Sequence, residues 1–409
     1  MKPMIERCAG LDVHQATVMA TVRIPDDHGG RQVKTETFGT TTAALLTLRD
    51  WLQAYGVTHV AMESTGVYWK PVYYVLEDGF TLLVVNVQHL KQVPGRKSDV
   101  RDSAWIAQLL EWGLLRGSLV PPAPLRDLRD LTRYRYHQIQ DRAREVNRLH
   151  RVLEDAGVKL STVATDIMGV SGRAMLEALV QGTTDPTVLA ELAKGKLRKK
   201  LPALRQALAG RVRAQHGFLI SQILGKIDFL DETIATLTAE IDRLMVPFEA
   251  TVARLDTIPG IARKGAISLI AETGGDMGRF PTAGHLCSWG AMCPGQNESA
   301  GKRRSGKTRR GNPYLRGTLI ESGLAASRAR GTALQARYLR VRRQRGHKKA
   351  VVAVGHQILE IAYYIMRDGV TYQELGPDYL DRRQSDRAVR RHVRQLEALG
   401  YRVVVEKAA

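Results

Sequence analysis

Four carboxylates carry the strongest chemical signal in the sequence. Asp99 and Asp102 stand three residues apart in RKSDVRDSAW, where an apolar helix is predicted to begin, so both would lie on one face of its first turn. Asp12 ends the apolar run CAGLDV and Glu63 ends THVAME, and each run predicts a short buried strand. Acids at strand ends and helix starts also serve as capping residues, so none of the four indicates a site alone.

Convergence of the four acids would imply a cation. Like charges held close together suppress one another's ionisation unless a positive charge neutralises them. Oxygen-only ligands suit Mg²⁺ or Mn²⁺. Two such ions roughly 4 Å apart can clamp the attacking and leaving oxygens of a phosphodiester. The four acids therefore predict metal-dependent chemistry on a phosphodiester.

The elements around these acids predict one α/β domain over residues 1–122. The chain reads as three strands, helix, strand, helix, strand and helix, which is the order of a ribonuclease-H-like domain. The predicted strands are 8–13, 16–24, 34–38, 58–63 and 81–86, and the predicted helices are 43–55, 68–76 and the Asp99/Asp102 helix, ending near Gly113. In open α/β sheets the functional crevice lies at the carboxyl ends of the strands, where Glu63 is expected.

The sequence predicts a helical, coiled-coil middle region over residues 123–248. A helix over 125–153 carries eight arginines, which favours a solvated basic face and nucleic-acid contact about equally. The segment 220–244 has an apolar seam that favours two parallel helices, although the 125–153 helix folded back would pair equally well. The seam residues are Ile220, Ile223, Ile227, Leu230, Ile234, Leu237, Ile241 and Leu244.

Residues 249–370 predict a mostly α-helical domain, followed by a charged tail over 371–409. Leu255 to Gly274 reads as two short helices around a Pro-Gly turn, similar to helix-hairpin-helix elements that contact DNA phosphates. Residues 286–316 form a Gly-rich basic loop with two candidate serines, Ser299 and Ser305, and neither has an evident base. The cations expected to contact nucleic acid are Lys302, Arg303, Arg304, Lys307, Arg309, Arg310 and Arg316.

Charge and composition narrow the class of protein. The 409 residues carry a net charge of +20, which suggests a polyanionic partner. Residues 301–350 hold sixteen Lys and Arg against one acid, Glu321, so this segment contributes +15. Three cysteines without a C-x-x-C pair argue against a disulfide framework or a zinc module. No signal peptide or membrane-spanning run is evident, so a soluble cytoplasmic protein without membrane partners is expected.

Taken together, the motifs resemble the IS110 family of insertion-sequence transposases, which are DEDD-type recombinases guided by a bridge RNA. The matching segments are GLDVH, MESTGVYW, KSDVRDSAW, LDTIPGI, Glu298-Ser299-Ala300-Gly301 and Gly311-Asn312-Pro313-Tyr314-Leu315-Arg316. Ser103 stands where the family usually has Ala. The resemblance implies a RuvC-like domain holding Mg²⁺ on Asp12, Glu63, Asp99 and Asp102, and a C-terminal transposase domain with Ser299 as nucleophile.

The resemblance also implies the partners. These are donor and target DNA, the bridge RNA, and further copies of the chain in a dimer or tetramer joined by coiled-coil helices, in the bacterial cytoplasm at the nucleoid. The predicted function is a site-specific recombinase that excises and inserts its own element. The alternatives are a RuvC-like junction nuclease, in which metal-activated water attacks and Ser299 is structural, and a non-catalytic nucleic-acid-binding protein with the acids as caps.

Overall fold

The computed structural model describes residues 3–27, 30–64, 66–86, 102–295, 297–309, 311–379 and 385–406. The chain forms two compact units, Met1–Val120 and Pro121–Ala409. No helix in the described ranges is long and apolar enough to cross a membrane. The finer division into four segments stays a prediction.

The N-terminal unit is a five-stranded sheet with helices on both faces. The strands have the order β3-β2-β1-β4-β5, with β1 antiparallel to β2, β2 antiparallel to β3, and β1, β4 and β5 parallel. The predicted sequence of strands and helices is confirmed, with shifts of a few residues at their ends. The elements are β1 Cys8–Val13, β2 Thr17–Pro25, β3 Arg31–Gly39, α1 Thr42–Ala54, β4 His59–Glu63, α2 Trp69–Leu76, β5 Thr81–Val85 and α3 Asp102–Glu111.

Alternation along the strands divides the sheet into two apolar faces. One face packs α1 and α2 against a core that includes Leu11, Val60 and Met62. The other face packs α3, with Ile106 and Leu109 against Cys8, Ala61 and Val85. Residues two apart on β1 or β4 therefore share a face, which decides where the acids at the strand ends lie.

Helix α3 approaches β1 so closely that a side chain at Gly10 is excluded. A Cβ atom at Gly10 would lie 2.2 Å from the Ser103 carbonyl oxygen and 2.3 Å from the Ala107 nitrogen. The buried Ser103 hydroxyl is paired with the Thr21 hydroxyl at 2.8 Å, which satisfies both buried polar groups. The serine at this position is thus accommodated by a hydrogen bond across to β2.

A buried carboxylate fixes the other end of α3. Glu111 is 1% exposed; its carboxylate accepts a hydrogen bond from Arg23 Nε at 2.6 Å and another from Arg31 Nε. The Glu111 carbonyl oxygen accepts from the backbone nitrogens of Met4 and Ile5, at 3.0 and 3.1 Å. Two strands and the N-terminal segment are therefore attached to the last residue of α3.

Over its described residues, the C-terminal unit is helical apart from one small hairpin and the connecting loops. Its helices are α4 Ala123–Asp155, α5 Val170–Val180, α6 Pro186–Glu191, α7 Leu201–Leu208, α8 Ala214–Met245, α9 Glu249–Asp256, α10 Arg263–Thr273, α11 Ala283–Trp289, α12 Pro313–Ala326, α13 Ala333–Arg345, α14 His347–Asp368 and α15 Ser385–Ala398. The hairpin strands are β6 Asn297–Ser299 and β7 Lys302–Ser305.

The long helices α4 and α8 run antiparallel along each other. Three pairs set the direction: Asp155 with His216, Glu145 with Lys226, and Arg135 with Thr238. Of the predicted seam residues, Ile220, Ile227, Leu230 and Ile241 are buried. Two partners were considered for this seam, and in the described structure the partner is α4 of the same chain. A parallel coiled coil between two copies stays a prediction.

The segment predicted to resemble a helix-hairpin-helix does form two short helices, α9 and α10, around Pro259-Gly260. Gly260 has φ +93°, and a Cβ there would lie 2.4 Å from the Ser322 carbonyl oxygen on α12. The turn is therefore packed against α12, and glycine is required both for its backbone conformation and for this close approach.

The Glu111 pairing gives a stability prediction. We expect Glu111→Gln to lower the free energy of unfolding by about 3 kcal/mol or more, because two partly buried arginines lose their counter-charge. The measurement is urea unfolding followed by circular dichroism. Asp50→Asn is the matched control: Asp50 pairs with Arg49 on the surface, so its loss should cost less than about 1 kcal/mol. Equal losses in the two variants would contradict the prediction.

Candidate functional site

Asp12 and Glu63 lie on one face of the sheet at the carboxyl ends of neighbouring strands. The parallel register pairs Gly10 with Ala61 and Leu11 with Met62, so Asp12 and Glu63 occupy the next matching positions. Because Gly10 and Ala61 belong to the face that α3 covers, alternation puts both acids on that face. The Asp12 side chain is 18% exposed, so it is sheltered but reachable.

Asp102 reaches the same end of the sheet from α3. Ser103 lies against Gly10, the Ala107 carbonyl oxygen accepts from Cys8 Sγ at 3.5 Å, and Glu111 lies at the start of the sheet. Helix α3 therefore runs antiparallel to β1, and its first residue, the exposed Asp102, lies beside the carboxyl end of β1. Asp99, the fourth predicted acid, lies outside the described residues.

The four predicted acids are ligands of the kind that a hard cation prefers. The three that the structure describes do not surround a common point where a cation could bind. Asp12, Glu63 and Asp102 offer only oxygen atoms, which Mg²⁺ and Mn²⁺ prefer. Within the described ranges, no group of three or more His, Cys, Asp and Glu side chains could hold a metal ion. His14 Nε2 lies 3.1 Å from Asp12 Oδ2, a contact that sequence analysis missed. Two-residue spacing from Asp12 was the available signal, since it puts both side chains on one face.

Ser299 is the last residue of β6, at a two-residue hairpin turn. Ser299 pairs with Lys302 and Glu298 with Arg303, so Ala300 and Gly301 form the turn. Their φ angles are +50° and +72°, the left-handed pair of a type I′ turn. Glycine adopts this conformation freely, whereas the alanine costs about 1–2 kcal/mol. The serine therefore lies next to a strained backbone position, on a hairpin whose pairing also shifts register between Asn297 and Glu298.

Two of the cations predicted to contact nucleic acid, Arg309 and Arg316, donate hydrogen bonds to hydroxyl groups. Arg309 Nη2 donates to Ser288 Oγ at 3.1 Å, and Arg316 Nη1 donates to Thr308 Oγ1 at 2.5 Å. The second candidate serine, Ser305, accepts from the Lys307 backbone nitrogen at 3.1 Å, which is a turn contact. Lys302, Arg303 and Arg304 form β7, while Arg310 lies outside the described residues.

The loop that carries the serine ends at a second buried carboxylate. Asn312 caps α12: its Oδ1 accepts from the backbone nitrogens of Tyr314 and Leu315, at 3.0 and 3.2 Å. Asn312 Nδ2 donates to Glu272 Oε2 at 2.5 Å, and Glu272 is 1% exposed. Arg133 holds both carboxylate oxygens, at 2.8 and 2.7 Å. One carboxylate thus joins α4, α10 and the start of α12.

The pKa values of the two arginines beside Glu272 are shifted in opposite directions. Burial lowers the pKa of Arg129 to about 10, because desolvation disfavours its charge more than the Glu272 carboxylate, 3.8 Å from its Nε, stabilises that charge. The guanidinium also donates to the carbonyl oxygens of Ala271 and Glu272. Burial also works against the charge of Arg133, but its direct hydrogen bonds to Glu272 raise its pKa overall. Arg133 also lies 4.7 Å from the centre of the Tyr314 ring.

Further arginines of α4 are neutralised as well. Arg142 pairs with Asp231, Arg144 with Asp141 and Arg148 with Glu145. Together with Arg129 and Arg133, most of the arginines on this helix hold acids of the same chain. The solvated or structural role therefore fits this basic helix better than contact with nucleic acid.

The Asn312 amide gives the second prediction. Asn312→Asp keeps a good helix cap but replaces a donor to Glu272 by a second carboxylate, so we expect a loss of about 2–4 kcal/mol at neutral pH. The introduced carboxyl has its pKa raised by Glu272, so the loss should shrink as the pH falls through that raised value. Urea unfolding at several pH values measures this. Thr41→Asp, at the exposed cap of α1, is the control and should cost nothing; a loss in the Asn312 variant that is independent of pH would refute the explanation.

Comparison with known proteins places the chain in a family. A model of DEDD transposases of the IS110 type, described as Transposase, matches residues 9–157. A second model, described as Transposase IS116/IS110/IS902 family, matches residues 252–339. The chain is also 27% identical over 162 residues to the "Insertion element IS110 uncharacterized 43.6 kDa protein" of Streptomyces coelicolor, a match that spans 39% of each chain. Because the two family matches together cover more than half of the sequence, this protein belongs to the IS110 family of transposases.

Proposed function

We propose that this protein is a site-specific DNA recombinase that excises its insertion sequence and inserts it elsewhere. It would do so through a serine nucleophile and an acidic, Mg²⁺-dependent site. The observation that carries the proposal is the placement of Asp12, Glu63 and Asp102 on one face at one end of the sheet. Membership of a transposase family supplies the substrate class, which is DNA.

The topology of the sheet supports assignment of a RuvC-like domain. Three antiparallel strands are followed by two that continue the sheet in parallel, in the order β3-β2-β1-β4-β5. The first strand is central and has an acid as its second-last residue, its parallel neighbour ends on a second acid, and the helix crossing the face begins with a third. This arrangement brings acids to the crevice at the carboxyl ends of parallel strands.

In this proposal Asp12, Glu63 and Asp102, together with Asp99, hold Mg²⁺ or Mn²⁺. The bound cation would neutralise negative charge on the reacting phosphate. The carboxylates would bind and orient the cation. His14 would hold Asp12 in position by its contact with Oδ2. The oxygen-only donor set supports this assignment.

The Ser299 hydroxyl oxygen would attack the phosphorus of the cleaved bond. A serine–phosphate ester forms, the bond from phosphorus to one strand oxygen breaks, and the leaving oxygen takes up a proton in place of the one that the serine hydroxyl loses. A strand hydroxyl then attacks the ester and releases the serine, so that the strands are rejoined without external energy. Lys302, the hairpin partner of Ser299, supplies positive charge at this point.

The partners in this proposal follow from the family resemblance. A structured bridge RNA would pair with donor and target DNA and so select the sites. Copies of the chain would assemble as a dimer or tetramer, in which the serine of one copy meets the acids of another. These partners are consistent with the net charge of +20.

Ser299 distinguishes a recombinase from a nuclease. Incubation of end-labelled DNA with the protein, Mg²⁺ and the RNA should give a slow, protease-sensitive band on denaturing gels, because the serine becomes joined to a DNA end. Ser299→Ala should abolish this band. Ser305→Ala should retain it, since that hydroxyl makes a turn contact with the Lys307 nitrogen. Cleavage without any adduct in the Ser299 variant would make water the nucleophile and the protein a RuvC-like nuclease.

The acidic site is tested by Asp102→Asn. We expect strand cleavage to fall by about a hundredfold or more, because one of the carboxylates that would hold the cation at the reacting phosphate is lost. The fold should persist, since Asp102 is exposed and contributes only about 0.3–1 kcal/mol at the start of α3. Cleavage rates with Mg²⁺ are measured beside a thermal melt. Asp50→Asn is the control. Full activity in the Asp102 variant would make this aspartate a helix cap and nothing more.

A further inference from the structure

The serine hairpin adjoins a groove lined by positive side chains. The groove has a volume of about 890 Å³ and lies between the base of the hairpin and the helices α12, α13 and α14. We call it the basic groove and define it by its six lysines and arginines: Lys307, Arg316, Arg337, Arg345, Lys348 and Lys349. No acidic residue lines it among the described residues. Four of the six lie on α13 and α14, outside the loop that the sequence singled out.

The charge of the basic groove is uncompensated. In the described part of the chain, none of its six cations forms an ion pair with an acid, in contrast to the arginines of α4. Arg337 also has its Nε atom buried without a hydrogen-bond partner. Converging like charges repel, and a buried donor without a partner is costly, so the fold tolerates two unfavourable features at one place. A bound polyanion would remove the first of them.

The junction of α13 and α14 adds to this charge. Arg345 ends α13, Gly346 turns the chain with φ +79°, and Lys348 and Lys349 occupy the first turn of α14. Cations at a helix N-terminus are opposed by the helix dipole, whereas the free backbone N–H groups of that turn favour anions. The sequence thus places lysines where they destabilise the free protein and favour a bound phosphate.

The basic groove begins at the base of the Ser299 hairpin. Ser305, Gly306, Lys307 and Thr308, which end β7 and follow it, line the groove. Thr308 forms a bridge to Pro294, and the Gly295 nitrogen donates to the Lys307 carbonyl oxygen at 2.9 Å. These contacts close the loop at its base, so the serine turn and the groove are parts of one local structure.

We propose that the basic groove binds the phosphodiester backbone of a polynucleotide and so leads one strand to the serine hairpin. The inference rests on the proposed function for the identity of the polyanion, and DNA and RNA share the chemistry that would be recognised. Lys348, Lys349 and Arg345 are exposed and would contact successive phosphates. Backbone contacts of this kind bind without reading sequence and fix the register of the strand.

The test compares two triple variants of the full chain with equal loss of charge. Arg345→Ala, Lys348→Ala and Lys349→Ala together remove three unpaired cations of the groove. Arg144→Ala, Arg205→Ala and Arg243→Ala remove three exposed arginines that pair with acids elsewhere. Fluorescence anisotropy without divalent cations measures affinity for duplex DNA, single-stranded DNA and RNA of one sequence, over about 50–200 mM salt.

We expect the groove variant to bind less tightly than the control and to flatten the plot of log affinity against log salt. Three lost phosphate contacts would reduce the slope by about 2.7 for duplex DNA and about 2 for a single strand. The polynucleotide that shows the reduction identifies which strand the groove holds. Slopes that match those of the control variant with all three probes would overturn the proposal.

The outcome is independent of the serine chemistry. Because binding is measured without cleavage, a reduced slope together with no protein–DNA adduct would leave the groove standing and reject the recombinase. An adduct with unchanged slopes would reject the groove alone.

Discussion

Two buried glutamates, each held by arginines from other elements, fix the elements that carry the proposed site residues of this protein. Glu111 joins α3 to β2 and β3 in one unit, and Glu272 joins α4, α10 and the cap of α12 in the other. A buried carboxylate without partners would lower the stability of the fold by several kcal/mol. The strands and helices that carry the partners are therefore held in place. Asp102 begins the helix fixed by Glu111, and the serine loop ends at the residue fixed by Glu272.

The same pairing separates the positive charge into two kinds. Most arginines of α4 form ion pairs with acids of the same chain. This helix therefore has a structural role despite its basic composition. On α13 and α14 the described cations that line the basic groove have no acid beside them. Net charge alone does not distinguish the two cases, since cations already paired with acids are less available to neutralise phosphates and displace the counterions of the nucleic acid. The surface proposed to bind nucleic acid is therefore smaller than the sequence suggests, and it adjoins the base of the hairpin that carries Ser299.

In the proposed reaction the acids come from the N-terminal unit and the serine from the C-terminal unit. The acids rely on strand register and alternation, which are rigid, whereas the serine lies on a short hairpin with Ala300 in a left-handed conformation. In that proposal the acids would bind a cation in fixed geometry, and the hairpin would meet a strand that the groove delivers. That division fits a reaction in which the nucleophile must first attack and then be released.

Local pattern was sufficient for the elements and for the placement of the acids that the structure describes. Short-range periodicity predicted the strands, the helices and the positions of Asp12 and Glu63, because side-chain alternation and the parallel register follow from a few neighbouring residues. Only the tertiary structure decided which arginines are neutralised, which helix covers the apolar seam of α8, and that α13 and α14 complete a groove with the loop. The partners of Glu272 stand 139 and 40 residues away from it in sequence, and such pairings depend on how helices pack and leave no periodic trace in the sequence.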